Sequence, residues 1–419
     1  MRPDPGLDEA ALLEAVQRAG FAYFWDHAHP DCHLARDRST RDVVSIGGSG
    51  MGLMCLIVAC RRGWVKRQKI VDRLLVMLRF LGDAERHHGV WGHFVNGGTG
   101  RIETFSPLDD GADLVETAFL AAGLLCLRQF FCGDGAEDRQ IRAMADELWR
   151  GIDWTAHLQP GEQPLFWHWS PRHGFAMNHR IEGWNECLIV YVLACASPTH
   201  RIATEHYSKG WTGGNAFRNG KTYFGHDLPL GPAGGGPLFF AHYSFLGLDP
   251  RGLADAYADY WHQNRNQCLI NRAYCIANPR HFAGYGAECW GLTASDSVTG
   301  YAAHAPDLDL GVIAPTAALA SMPYTPEYSQ QVLRHLLSSL PGLWGDWGFR
   351  DAFSPQAGWM AEATLAIDQG PIVIMIENYR SALMWNLLMS APEIRTGIAR
   401  LQFTSPWLSQ FSGIPTAVS

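Results

Sequence analysis

The segment Trp184-Asn-Glu-Cys-Leu-Ile-Val-Tyr-Val-Leu-Ala-Cys-Ala196 decides the fold. From Cys187 to Ala196 every residue is apolar or aromatic, so any helix it forms is apolar on all sides. Such a helix has to be enclosed by protein. The run is too short to cross a bilayer, which leaves the interior of a soluble fold. The stretch from Ile372 to Ile376 repeats the pattern. Lys69 to Leu81 instead spaces its apolar residues three and four apart, which gives one dry face and one wet face. Enclosed helices alternating with half-exposed ones are what a double ring requires. The chain therefore reads as a single all-α domain, residues 1–419, built as an α/α toroid.

About eleven helices are expected, over residues 7–27, 45–64, 68–81, 113–131, 139–154, 186–196, 251–264, 314–321, 326–340, 370–389 and 392–401. Strand signals are few and short. Four long connections, residues 91–111, 159–183, 207–237 and 278–306, are rich in Gly, Pro and aromatic residues. Long loops without helices of their own are functional or disordered, and the aromatic content argues against disorder. They read as the walls of a cleft on one face. Gly47-Gly-Ser-Gly50 lacks the strand and spacing of a nucleotide loop and reads as close helix packing.

Composition narrows the ligand. The formal net charge is −8 and there is no long basic run, which excludes a nucleic-acid partner. Sixteen Trp, with 13 Tyr and 20 Phe, suit either an aromatic-rich core or a cleft for sugars, which present C–H faces and hydroxyl edges. Ten Cys show no paired or metal-binding spacing and read as small buried hydrophobes, so no disulfide framework, metal or cofactor is expected. Met1 to Ala10 carries Asp4, Asp8 and Glu9 and no apolar core, so it does not read as a signal peptide. The protein is expected in the cytoplasm, or in the periplasm or outside the cell if a signal has been removed. A membrane partner is not expected, and a monomer is.

Three segments carry ionisable chemistry. In Asp109-Asp-Gly-Ala-Asp-Leu-Val-Glu-Thr117, residues Asp109, Asp113 and Glu116 stand at i, i+4 and i+7, one face of a helix. Capping would account for Asp110 and Asp113 but not for Glu116 among apolar neighbours. Glu186 opens the most apolar helix. Burial would raise its pKa and a helix N-terminus would lower it, so a general-acid role requires burial to win. Asp351 follows an aromatic-glycine loop, and Asp368 precedes Gly370-Pro371 in an N-cap-like place. Trp184, Trp290, Trp344 and Trp347 are candidates for stacking on sugar rings. Arg380 would orient a carboxylate or bind hydroxyls, or pair with Glu377 within its helix.

Several ordered segments together carry a resemblance: DDGADLVETAFLAAGLL (109–125), WNECLIVYVLACASPTH (184–200), PLFFAHYSFLGLDPRGL (237–253), NRAYCIANP (271–279), CWGLTASD (289–296), GFRDAFS (348–354) and IDQGPIVIMIENYRS (367–381). The chain resembles the bacterial β-1,2-glucanase family of glucoamylase-like glycoside hydrolases from about Phe21 to its last helix. The resemblance implies an (α/α)6 barrel, a β-1,2-glucan or oligosaccharide substrate, hydrolysis with inversion, and export. It points to Glu186 as general acid and places Asp109, Asp113 and Glu116 in the same cleft. It also points to a base that corresponds to Asp351 or Asp368, and the base stays open between that pair and Asp109 or Asp113, acting directly or through a relay.

Overall fold

The computed structural model describes residues 1–213 and 217–409. Fourteen α-helices organise the described chain: α1 Glu9–Asp26, α2 Ile46–Arg62, α3 Arg67–Asp83, α4 Leu114–Phe130, α5 Ala136–Arg150, α6 Leu188–Ala196, α7 Phe239–His242, α8 Tyr260–Ala277, α9 Pro315–Leu319, α10 Pro326–Ser339, α11 Ala366–Ser381, α12 Leu383–Ser390, α13 Pro392–Arg400 and α14 Pro406–Ser409. The inner helices are α2, α4, α6, α7, α9 and α11: α2 packs on α4, α4 on α6, α9 on α11, and α11 returns to pack on α2, with the turn at residues 244–246 between α6 and α7. Outside them lie α1, α3, α5, α8, α10 and α13, the last set against α6. This is an (α/α)6 barrel. All nine residues of α6 are buried, whereas α3 buries only Ile70, Val71, Leu74, Met77, Leu78 and Leu81. Burial thus follows the two kinds of hydrophobic pattern in the sequence. No helix among the described residues is long and apolar enough to cross a membrane. All ten cysteines are free, and most are buried.

The tightest joint in the ring is α2 against α4. A Cβ on Gly50 would lie 2.4 Å from the carbonyl oxygen of Phe119, and one on Gly123 would lie 2.5 Å from that of Gly50. Backbone therefore touches backbone, and only glycine permits it. The Gly47–Gly50 segment is close helix packing, as its composition suggests.

Several element boundaries differ from expectation. The helix expected over residues 251–264 begins only at Tyr260, because Asp255 accepts the N–H groups of Tyr257 (2.8 Å) and Ala258 (3.1 Å) in a turn. Asp259 then caps α8 by accepting the His262 N–H at 2.9 Å. The segment 370–389 is two helices, α11 and α12, broken where Ala382 takes φ 56°. α11 begins four residues before Gly370, so Asp368 lies in its first turn and is not its N-cap. α6 begins at Leu188, which leaves Glu186 in the turn before it. The long connections contain short antiparallel hairpins. One ladder pairs Ala112 with Trp169 and Asp113 with His168.

Replacing Gly123 by Val should lower stability by ~1–3 kcal/mol or more through overpacking of the α2–α4 joint. Urea denaturation read by circular dichroism measures it, and an unchanged midpoint would contradict the backbone contact.

Candidate active site

The N-terminal ends of the inner helices converge on a cavity of about 580 Å³. Ser45 caps α2 by accepting the Gly48 N–H at 3.0 Å, and Asp113 caps α4 by accepting the N–H groups of Val115 (3.0 Å) and Glu116 (2.9 Å). Glu186 precedes α6, Phe239 begins α7, and Ile367 and Asp368 lie in the first turn of α11. Ser45, Glu116, Glu186, Phe239 and Ile367 line the cavity. Helix N-termini carry partial positive charge, so a ring of them tolerates a concentration of carboxyl groups.

Glu186 is positioned by its neighbours in sequence. Trp184 is buried, stacked on Tyr260 at 5.8 Å, and donates its indole N–H to Gln267 Oε1 at 3.3 Å. The Asn185 Oδ1 accepts the Cys187 N–H (3.0 Å) and the Trp211 indole N–H (3.3 Å). The Ser244 hydroxyl donates to the Glu186 carbonyl. The backbone is thus pinned on both sides and the carboxyl reaches the cavity wall. Burial raises its pKa to about 7, and the nearby charges of Asp113 and Glu116 add to the rise. The helix N-terminus does not prevail over burial here, because Glu186 stands outside the first turn.

Glu116 also lines the cavity. Its Oε2 accepts the Gly47 N–H at 2.7 Å, and a Cβ at Gly47 would occupy the same space. Burial raises its pKa despite the His93 charge. Asp113 behaves in the opposite way. Burial pushes it up, but hydrogen bonds from His168 and His93 prevail and hold it well below the usual carboxylate range. The His93 Nδ1 is 3.0 Å from Asp113 Oδ2, and the His168 Nε2 is 3.1 Å from Asp109 Oδ2 and 3.4 Å from Asp113 Oδ2. Burial opposes the charge on both imidazoles, yet the acids raise them to about 10 and about 9. One ligand atom each from His93, Asp109 and Asp113 lies within 4.8 Å of the others, so these residues have metal-ligand geometry, but two imidazolium groups already balance the acids.

A second carboxyl group set lies at α11. Asp351 and Asp368 are both buried and lie close enough to perturb each other. Burial raises both, and the neighbouring charge of Asp351 raises Asp368 further. The Asp296 N–H donates to Asp351 Oδ2 at 2.7 Å, which favours charge on Asp351. The Arg38 Nη1 meets both Asp296 oxygens at 3.1 Å, and its Nε donates to Asp37 Oδ2 at 3.2 Å. Asp37, Arg38 and Asp296 line the cavity, so the pair sits one residue behind the wall.

Tertiary structure therefore brings together Glu186, Glu116, Asp109, Asp113, Asp351 and Asp368. It separates the other candidates from the cavity. Trp290 is fully buried in the core, and Trp184 is a core anchor 3% exposed. Trp344 packs edge-on against Phe349 at 4.9 Å, and Trp347 lies on His27 at 4.2 Å, beside α1. Neither contributes to the cavity lining. Arg380 lies twelve residues beyond Asp368 along α11, so ~18 Å separates them along the helix. There it pairs with Glu14 at 2.8 Å, while Glu377 takes Arg62 at 2.9 Å. The expected Glu377–Arg380 pair does not form. Asp110 pairs with Arg172 and caps nothing. Lining residues not singled out from sequence include His93, Phe105, Trp167, Tyr243, Asp296 and Tyr301. All but Tyr243 fall in the four aromatic-rich connections, which was the available signal.

Fold and site together define an (α/α)6 barrel of the glucoamylase-like class, with its carboxyl groups at the helix N-termini. Residues 178–392 match the Glycoamylase family, described as "Putative glucoamylase". A putative glucoamylase from Bacteroides uniformis superposes with a TM-score of 0.94 at 51% identity, covering 96% of this chain and 99% of that one. The endo-β-1,2-glucanase of Chitinophaga pinensis, solved with sophorotriose and glucose, gives 0.93 at 47% identity, covering 96% and 100%. The exo β-1,2-glucooligosaccharide sophorohydrolase of Parabacteroides distasonis is 42% identical over 95% of this chain, which spans 58% of that protein's length. This chain belongs to the glucoamylase-like family.

The raised Glu186 carboxyl has a stability consequence. Its contribution is fully present below the ordinary glutamate pKa and is lost as pH rises through about 7, where charge must be buried. Glu186→Gln should therefore be more stable than the parent at pH 8, by on the order of 2 kcal/mol, and nearly equal at pH 4. Melting temperatures at the two pH values check this. A variant equally or less stable at pH 8 would show that Glu186 carries its charge without penalty.

Proposed function

We propose that this protein is a glycoside hydrolase, a single (α/α)6 domain that cuts β-1,2-glucan or its oligosaccharides with inversion, and that Glu186 is the general acid. One observation carries the reading. The Glu186 carboxyl lines the cavity, no cation pairs with it among the described residues, and burial raises its pKa to about 7, so a substantial protonated fraction persists near neutrality. An acid in that state can deliver a proton to a departing glycosidic oxygen. The identity to the Chitinophaga and Parabacteroides enzymes supports β-1,2-glucan as substrate. The packing of nearly all the buried apolar residues into one cluster supports a single domain.

Inversion needs a second carboxyl group as base, with a water between it and the sugar. Asp113 is a poor base, since two imidazolium groups stabilise its charge. Burial raises the affinity of the Asp351/Asp368 pair for protons, which suits a base working near neutral pH. Set behind Asp296 and Ile367, it would take the water's proton through a short relay. Glu116, held by the Gly47 N–H, is left to bind sugar hydroxyls.

Glu186→Gln should lower kcat/KM on linear β-1,2-glucan by ~10²–10⁴-fold and remove the alkaline limb of the pH–rate profile. Asp351→Asn should remove the acidic limb. Proton NMR of the first turnovers should show the α-anomer at the new reducing end. Initial β-anomer, or activity of Glu186→Gln within a few-fold of the parent, would sink the assignment.

A further inference from the structure

Six of the ten large apolar side chains left exposed among the described residues lie on two stretches of loop: Phe105, Leu108, Val298, Tyr301, Leu308 and Leu310. Clustering of this kind on a surface marks a binding region, where scattered exposure would not. Of the six, only Phe105 and Tyr301 also line the cavity. They are 55% and 48% exposed, so about half of each residue is open to a ligand.

Both rings are fixed at their bases. Phe105 lies 4.6 Å from the His93 ring, whose Nδ1 meets Asp113, and its N–H donates to the Asp109 carbonyl at 3.0 Å. Tyr301 follows a turn in which the N–H groups of Ser297 and Gly300 each donate to the other residue's carbonyl, at 2.9 and 3.2 Å. That turn closes the hairpin pairing Ala294–Ser295 with Ala302–Ala303. Asp296, in the same turn, holds Arg38 and Asp351. One exposed ring therefore stands over each carboxyl set, on backbone that the site itself anchors. An anion would meet a cavity rich in carboxyl groups. A neutral ligand with alternating C–H faces and hydroxyl edges matches both the rings and the wall behind them.

We propose that Phe105 and Tyr301 form a subsite at the mouth of the cavity that grips a glucose unit of the entering chain, and so set the preference for long over short β-1,2-glucan chains. This rests on the hydrolase reading above. The two rings are specificity determinants, and neither takes part in proton transfer.

Phe105→Ala, Tyr301→Ala and the double variant separate the roles. Both positions are exposed, so melting temperatures should be unchanged. On a long linear β-1,2-glucan each single variant should lower kcat/KM about tenfold, chiefly through KM, and the double variant by more. On the shortest oligosaccharide the enzyme cleaves, all three should lose several-fold less than on the long chain, and Phe105→Trp should keep long-chain activity. Equal losses on long and short substrates, or no loss on either, overturn the proposal. Calorimetry of long glucan binding to Glu186→Gln, with and without the two Ala substitutions, reads the subsite without catalysis. If the parent hydrolyses nothing yet the substitutions abolish binding, the hydrolase reading fails and the subsite stands. Binding unaffected by the substitutions overturns the subsite whatever the activity.

Discussion

The contact of backbone with backbone between α2 and α4 is the constraint on which the site depends. Gly50 and Gly123 leave no room for a Cβ, so the two helices have one available depth and register. At that register the Gly47 N–H, one turn earlier, meets Glu116 Oε2 at 2.7 Å. Ser45 caps one helix and Asp113 the other within the same few ångströms of wall. A small displacement of either helix would detach Glu116 from its donor and move Asp113 away from His93 and His168. Rigid close packing in the core thus becomes precision at the cavity.

Electrostatics then divides chemically similar groups. Glu116, Glu186 and the Asp351/Asp368 pair are raised by burial, while Asp113, equally buried, is held low by two imidazolium neighbours. Environments that push carboxyl groups apart in pKa allow one to give a proton while another takes one. The converging helix N-termini make this arrangement tolerable, since each offers partial positive charge to a neighbour that is at least partly ionised. Burial of so many ionisable groups is unfavourable to folding taken alone, and the large apolar ring around them offsets it.

Loops supply what the barrel cannot. The hairpin register that sets His168 opposite Asp113 comes from residues more than fifty positions apart in the chain. The 294–303 hairpin joins an exposed tyrosine at the entrance to the N–H that stabilises Asp351. Rigid helices thus hold the carboxyl groups, and short hairpins tune them and shape the way in.

Sequence by itself determined the all-helical ring, because apolar periodicity is local and directly reflects which faces are buried. It also marked Glu186, through an acid set against a wholly apolar helix, and it marked the aromatic-rich connections as walls. It did not separate a tryptophan in the core from one in a cleft. Trp184 and Trp290 anchor the interior, while Phe105 and Tyr301, ordinary in composition, face the opening. Nor did spacing show that Asp110 pairs with Arg172 and leaves the cap of α4 to Asp113, that Asp368 is buried beside Asp351, or that Arg380 points away at the far end of α11. Helical pattern depends on neighbours a turn apart, so it is written in the chain. Protonation state, cavity lining and pairing depend on groups brought together from distant segments, and only the closed barrel decides those.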